Sequence, residues 1–78
     1  MSSEFSGMRI YEYMRATQAV YEIKGNYIYK YMGAGHRVYE IRGNHIHEYM
    51  KASLPVYEIR GMCIHEYMKT RVVFEIRK

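Results

Sequence analysis

The chain of 78 residues has a single cysteine, no tryptophan, no aspartate and no apolar run longer than a few residues. Because Cys63 is the only cysteine, no disulfide can form within one chain, and a lone thiol suits a reducing compartment. The apolar runs are too short for a membrane-spanning helix, and the first residues lack the pattern of a secretory signal. These absences predict a soluble, cytoplasmic protein.

Catalytic motifs are also scarce. Cys63 and His65 are only two positions apart, and the one acid expected near them is Glu58, across a predicted hairpin. The sequence has no glycine-rich phosphate loop and no zinc-protease motif. We therefore predict that the protein is not an enzyme and needs no cofactor.

Four copies of one eighteen-residue unit follow a short leader. The second and third copies, GNYIYKYMGAGHRVYEIR and GNHIHEYMKASLPVYEIR, agree at 11 of 18 positions, and the fourth lacks one residue between Met68 and Val73. Self-similarity at a fixed period indicates a repeat architecture. We predict a flexible leader over residues 1–6 and one domain over residues 7–78, with copies at 7–24, 25–42, 43–60 and 61–78.

Each copy boundary has the pattern of a β-hairpin. Val, Ile and Tyr are typical of strands, and a Gly-Asn pair between two such runs is typical of a two-residue turn. A turn at Gly43-Asn44 places Ile41 opposite Ile46 and Glu40 opposite His47. Ile46 and Tyr49 cannot both face inward on a regular strand, so either a bulge intervenes or both faces of the sheet are partly covered.

The count of strands predicts a closed ring. Three complete hairpins leave one strand at residues 9–14 and one at residues 73–77, and pairing these two would remove two exposed sheet edges. The predicted fold is all-β, with four hairpins around a pseudo-fourfold axis. A β-solenoid with one copy per coil is the alternative, although it would stack four glutamates in a destabilising ladder. These glutamates are Glu22, Glu40, Glu58 and Glu75.

The repeated I-R-G-N-x-I-x-x-Y pattern around V-Y-E-I resembles the four-fold β-flower domain, a small bacterial family. The resemblance covers residues 7–78, with Gly-Met replacing Gly-Asn at Gly61 and a shortened last copy as departures. It implies β-hairpins around a pseudo-fourfold axis. It implies no activity and transfers no functional residues.

Three imidazoles and one thiol form a candidate zinc site. His45 and His47 share one strand face, as do Cys63 and His65, and such a set suits tetrahedral zinc. In a meander, however, an intervening strand would separate the two pairs by about 9–10 Å. Glu40 and Glu58 across the hairpins also explain two of the histidines as surface pairs.

Basic residues beside the turns form a candidate nucleic-acid surface. Interleaved basic and tyrosine side chains can hold phosphates and stack on bases. Alternatively, each basic residue pairs with the glutamate two positions before it or is simply solvated. The candidate residues are Lys24, Arg42, Arg60, Arg77, Tyr27 and Tyr29, and Arg9 and Lys30 add charge nearby.

Two further sets recur in every copy. Tyrosine is enriched at interfaces, so we predict a self-association surface that includes Tyr13, Tyr31, Tyr49 and Tyr67. We predict that the methionines after them fill the core, although methionine also lines adaptable binding surfaces. These methionines are Met14, Met32, Met50 and Met68.

The small core and the tyrosine excess together predict a function. A chain of this length buries only a modest core, so stability favours a partner subunit. We expect a non-catalytic binding or assembly module that acts through its surface as a homo-oligomer. The alternative is a nucleic-acid-binding module, and a ligand or metal pocket on the axis comes third.

Overall fold

The computed structural model describes residues 4–15, 18–33, 35–51 and 54–78, and every element in these ranges is a β-strand. The eight strands pair antiparallel with their sequence neighbours, and the first and last strands also pair, so that the sheet closes into a barrel. The strands are β1 Arg9–Glu12, β2 Tyr21–Lys24, β3 Tyr27–Lys30, β4 Arg37–Arg42, β5 His45–Glu48, β6 Tyr57–Arg60, β7 Cys63–Glu66 and β8 Val72–Arg77.

The hairpins have the predicted register. Ile41 lies opposite Ile46 and Glu40 opposite His47 across β4 and β5, and the next hairpin pairs Glu58 with His65 in the same way. The turn glycines adopt positive φ, with Gly43 at 60°, a conformation that glycine adopts without steric cost. The Gly-x pair at each copy boundary therefore sets the register, as the sequence predicts.

The predicted closure between the first and last strands is confirmed. β1 and β8 pair antiparallel, with Ile10 opposite Ile76 and Glu12 opposite Phe74. A β-solenoid is therefore excluded, because its coils would stack in parallel while every pairing here is antiparallel. Closure removes both edges of the sheet.

The core is a set of isoleucines, two from each sequence copy. Each is at most 5% exposed. Because side chains alternate across a strand, the residues between the isoleucines point outward, and these are mostly charged or aromatic. The core isoleucines are Ile10, Ile23, Ile28, Ile41, Ile46, Ile59, Ile64 and Ile76.

Tyr49 lies outside the barrel. Ile46 is buried, whereas Tyr49 follows the end of β5 and its ring packs against Tyr27 on the outer face. The register irregularities lie elsewhere, between β3 and β4 and between β7 and β8. Of the two alternatives, partial cover on both faces of the sheet therefore applies at Tyr49.

Residues 4–6 belong to the packed domain. Phe5 is 6% exposed and joins the isoleucine cluster, and the backbone N–H of Gly25 donates a 2.8 Å hydrogen bond to Ser6 Oγ. Phe5 therefore packs into the core although the sequence assigns it to a leader, and residues 1–3 lie outside the described residues. A single buried aromatic residue has no periodic signal by which a sequence pattern could reveal it.

The barrel has two rims, which are defined by the ends of its strands. Even-numbered strands end at the hairpin turns, which form the turn rim, and odd-numbered strands end at the opposite rim. Ser6 contacts the turn rim by accepting the Gly25 hydrogen bond at its Oγ. Within the described ranges, no helix has the length and apolar character needed to cross a membrane.

Candidate functional site

Four exposed methionines lie at the rim opposite the turns. Each comes two residues after the end of an odd-numbered strand. The tyrosine before each methionine still donates a backbone hydrogen bond to a valine in, or just before, the neighbouring even-numbered strand, as in Tyr31 N–H to Val20 O at 3.1 Å. The residue after the methionine then donates a backbone hydrogen bond to the last residue of the strand, as in Gly33 N–H to Lys30 O at 3.0 Å, which closes a tight turn. We call this set the methionine rim, and it consists of Met14, Met32, Met50 and Met68.

The backbone at these methionines is left-handed. Their φ angles are 64°, 60°, 66° and 66° in chain order, and a residue with a Cβ in this region is destabilised by roughly 1–2 kcal/mol. Their side chains are 79–80% exposed. The prediction that they fill the core is wrong, because each methionine lies in a tight turn after its strand has ended and not on the inner face of the sheet.

The sequence copies vary at many exposed positions but not at this one. The third position of the unit is Arg9, Tyr27, His45 and Cys63 in turn, whereas the eighth is methionine in all four copies. Burial explains why every copy keeps its isoleucines. Neither burial nor backbone geometry explains an exposed, left-handed methionine, so the side chain itself is the feature that calls for a function.

Four aromatic rings form a closed ring inside the barrel on the side of the methionine rim. Tyr21, Tyr39, Tyr57 and Phe74 meet edge to face, with neighbouring centroids 5.7–5.8 Å apart. Burial raises the pKa of the Tyr39 hydroxyl, and the hydroxyls of Tyr21 and Tyr57 raise it further. The void below the rings is about 10 Å³, which is too small for an organic ligand on the axis.

The tyrosines that precede the methionines pack along the outer face. Tyr49 meets Tyr27 edge to face at 5.7 Å, and Tyr67 meets His45 at 5.6 Å. The Arg9 guanidinium lies 5.2 Å from the Tyr31 ring centre, and Tyr13 is 42% exposed. Three of the four predicted interface tyrosines therefore already contact a side chain of the preceding copy.

The arginines beside the turns are ion-paired. Arg42 contacts Glu40 at 3.2 Å, Arg60 contacts Glu58 at 3.3 Å, and the Arg77–Glu75 distance is 2.7 Å. In each case the partner is the glutamate two positions earlier, which lies on the same strand face. The arginine side chains are about half exposed and those of the glutamates about a quarter to a third, so solvent screening keeps the contribution of each pair to stability to about 1 kcal/mol or less.

The other members of the candidate nucleic-acid set have aromatic partners. Lys24 Nζ lies 5.6 Å from the ring centre of Tyr29. The Arg37 guanidinium lies 4.0 Å from the ring centre of Tyr27. Lys24, Tyr27 and Tyr29 thus lie together on the outer face of β2 and β3.

The candidate zinc ligands lie on two strands that do not pair with each other. His45 and His47 are on β5, Cys63 and His65 are on β7, and β6 lies between them. Nδ1 of His65 is 3.0 Å from the Thr70 carbonyl oxygen. Among the described residues, no group of three or more His, Cys, Asp or Glu side chains is placed to hold a metal ion. The structure therefore does not assemble the four residues into a centre.

Comparisons with protein-family models, curated proteins and solved structures found no match to the chain. The resemblance to the four-fold β-flower family therefore stays a prediction.

Arg37 is a residue that sequence reasoning missed. Besides covering Tyr27, it donates hydrogen bonds to the hydroxyls of Tyr29 at 3.2 Å and Tyr49 at 3.1 Å. Those two hydroxyls raise the pKa of the Arg37 guanidinium, the Tyr29 bond being the larger cause. Arg37 belongs to the variable part of the unit, where the repeats offer no signal to mark it.

Proposed function

We propose that the protein is a non-catalytic assembly module in which the methionine rim pairs with the methionine rim of a second copy. The observation that carries this proposal is the recurrence of an exposed, left-handed methionine in all four sequence copies. The half-buried Cys63 thiol has no second cysteine in the chain with which to pair, which fits the reducing cytoplasm as the compartment.

The energetics favour burial of this rim. Removing one methionine side chain from water contributes about 1.5–3 kcal/mol, and a paired rim would bury four from each chain. Association costs about 4–15 kcal/mol in lost translational and rotational freedom, which lies mostly below the roughly 12–24 kcal/mol that eight buried methionines would contribute. Methionine is flexible and polarisable, so four of them can adapt to a facing set. The rim therefore offers enough apolar surface for a stable pair.

Charges at the rim favour a second copy over a partner of one charge sign. Lys51 lies 3.8 Å from Glu48, and Lys69 lies 3.7 Å from Glu66, with both pairs directly beside a methionine. Because the rim carries both signs, two copies can exchange these partners across an interface. A uniformly anionic surface, such as an acidic membrane, would meet the carboxylates of Glu48 and Glu66 as well.

The alternative function, nucleic-acid binding through the residues beside the turns, has less support. Arg42, Arg60 and Arg77 each contact a glutamate, so a phosphate would compete with a carboxylate already in place. Lys24 is in none of the ion pairs of the described residues and lies over the ring of Tyr29 instead.

Sedimentation velocity over a range of concentrations tests the assembly. The variant replaces all four rim methionines with serine, and the control is Met62→Ser, because Met62 is 41% exposed at the turn rim. We expect the wild type and the control to form an oligomer that dissociates on dilution, and the fourfold variant to stay monomeric. An oligomer of unchanged affinity in the fourfold variant, or a wild type that is monomeric at every concentration, would refute the proposal.

A further inference from the structure

One sector of the outer face carries three cations that take part in none of the ion pairs of the described residues. A groove of about 390 Å³ runs along β1, β2 and β3. Three of its polar residues are cationic and one is acidic, which gives a net charge of +2. We call it the basic groove, and the residues that matter are Arg9, Glu22, Lys24, Tyr29, Lys30 and Tyr31.

The cations of the basic groove lie over aromatic rings. Arg9 lies 5.2 Å from the ring centre of Tyr31, and Lys24 lies 5.6 Å from that of Tyr29. All eight glutamates of the chain are among the described residues, and the ion pairs of those residues do not include Arg9, Lys24 or Lys30. Aromatic rings hold cations in position without neutralising them, so the groove keeps its positive potential.

Comparison of the copies shows why this sector differs from the others. Lys30 stands where the other three copies have Glu12, Glu48 and Glu66. Two of those glutamates pair with a lysine three positions later, as Glu48 does with Lys51. A lysine in place of a glutamate makes the local charge more positive by two units. The excess charge therefore belongs to the boundary between the first two copies, where Lys30 of the second copy joins Arg9 and Lys24 of the first.

We propose that the basic groove binds a nucleotide, through its phosphate groups, either as a free nucleotide or as a unit of a single strand. Arg9, Lys24 and Lys30 supply positive charge for phosphate oxygens. Tyr31 and the Arg9 guanidinium plane supply a surface on which a base can stack. The volume of the groove is within the range of small-molecule sites.

Glu22 limits the affinity and supplies a control. It is paired in register with Arg9 on one side and with Tyr29 on the other. Its carboxylate therefore repels a phosphate group that is bound in the groove. Glu22→Gln removes that charge with little change in shape. Nucleotide binding through this groove therefore requires Glu22→Gln and Lys30→Glu to act in opposite directions.

Fluorescence anisotropy of a short fluorescein-labelled oligothymidylate tests the proposal, starting at about 50 mM salt because phosphate contacts weaken as salt rises. We expect Lys30→Glu, which restores the residue of the other copies, to weaken binding about tenfold or more, and Glu22→Gln to strengthen it. The control is Arg60→Ala, because Arg60 is ion-paired and lies on β6. Met32 also lines the groove, two residues after Lys30, so binding is measured at a chain concentration at which sedimentation shows each variant to be monomeric, which separates this test from that of assembly.

The outcomes separate the possible ligands. A slope of log K against log salt near about −2 corresponds to three phosphate contacts on a single strand and supports the proposal. Competition by adenosine monophosphate assigns the site to a free nucleotide, and competition by unlabelled oligothymidylate alone assigns it to a strand. Equal competition by inorganic phosphate, an equal loss in Arg60→Ala, or no binding would overturn the proposal.

Discussion

The rings of Tyr57 and Phe74 meet edge to face, with centroids 5.7 Å apart and planes at 81°. They come from the last two sequence copies, and Phe74 occupies the position that is tyrosine in the other three. Phe74 makes the same contact with Tyr21 of the first copy. One side chain from the last strand thus completes the aromatic ring inside the barrel.

The aromatic ring predicts a difference between two substitutions of Phe74. Phe74→Ala removes two edge-to-face contacts, so we expect the free energy of unfolding to fall by about 3 kcal/mol. Phe74→Tyr restores the residue of the other copies, so we expect a change of less than about 1.5 kcal/mol. Urea unfolding at one chain concentration measures both. Equal losses in the two variants would show that the ring does not stabilise the barrel.

Alkaline pH probes the same ring through Tyr39. Burial, together with the hydroxyls of Tyr21 and Tyr57, raises the pKa of Tyr39 in the folded state above an unfolded value of about 10. The folded state therefore holds this proton more tightly, so the associated stability is complete below about pH 10 and is lost as pH rises above it. We expect Tyr39→Phe to lose less stability than the wild type between about pH 9 and 11.

The measurement is the urea unfolding free energy as a function of pH, with Tyr13→Phe as the control because Tyr13 lies on the outer surface. The control should follow the wild type. A Tyr39→Phe curve that also follows the wild type would mean that Tyr39 ionises equally in the folded and unfolded chains.

Closure of the barrel predicts that the last strand contributes as much to the free energy of unfolding as an internal strand does. Ile76 is 2% exposed and lies opposite Ile10, while Ile41 is 5% exposed within a continuous hairpin. We expect Ile76→Ala and Ile41→Ala each to lower the free energy of unfolding by about 2–5 kcal/mol. Chemical denaturation compares the two. A much smaller loss in Ile76→Ala would indicate that β1 and β8 separate in solution.

The left-handed backbone at Met32 predicts that glycine at this position stabilises the chain and that valine destabilises it. Glycine at this φ of 60° avoids the steric cost of a Cβ, whereas valine is β-branched and increases it. We expect Met32→Gly to stabilise the dilute, monomeric chain by about 1 kcal/mol and Met32→Val to destabilise it. Thermal melts under dilution give the order. A Met32→Gly variant less stable than Met32→Val would contradict the left-handed geometry.

Much of the fold could be predicted from residue patterns with short-range causes. Period-two alternation and the turn at Gly43-Asn44 are sufficient for the register of Ile41 with Ile46, and two unpaired end strands predict closure. The exposed methionines could not be predicted in this way. A hydrophobic residue next to a strand is ordinarily expected to be buried, and the sequence alone does not show that these residues have a positive φ. The same limit applies to Phe5, whose burial depends on a contact that no periodicity records.

The candidate surfaces were only partly predictable for a related reason. The repeats drew attention to Arg42 and Arg60, which occur in register, yet repetition also places a glutamate two positions before each of them. The basic groove depends instead on Lys30 and Arg9, where the copies differ. A search for shared features therefore passes over the positions that distinguish one sector of the barrel from the rest.

Methyl NMR of the protein labelled with carbon-13 at the methionine methyl groups tests the central claim most directly, because it reports on the rim and on the rest of the molecule together. On serial dilution of the wild type, the account predicts that the resonances of Met14, Met32, Met50 and Met68 shift as the pair dissociates, while that of Met62 at the turn rim stays constant. Constant resonances for all four rim methionines, or a shift of Met62 in their place, would contradict assembly through the methionine rim.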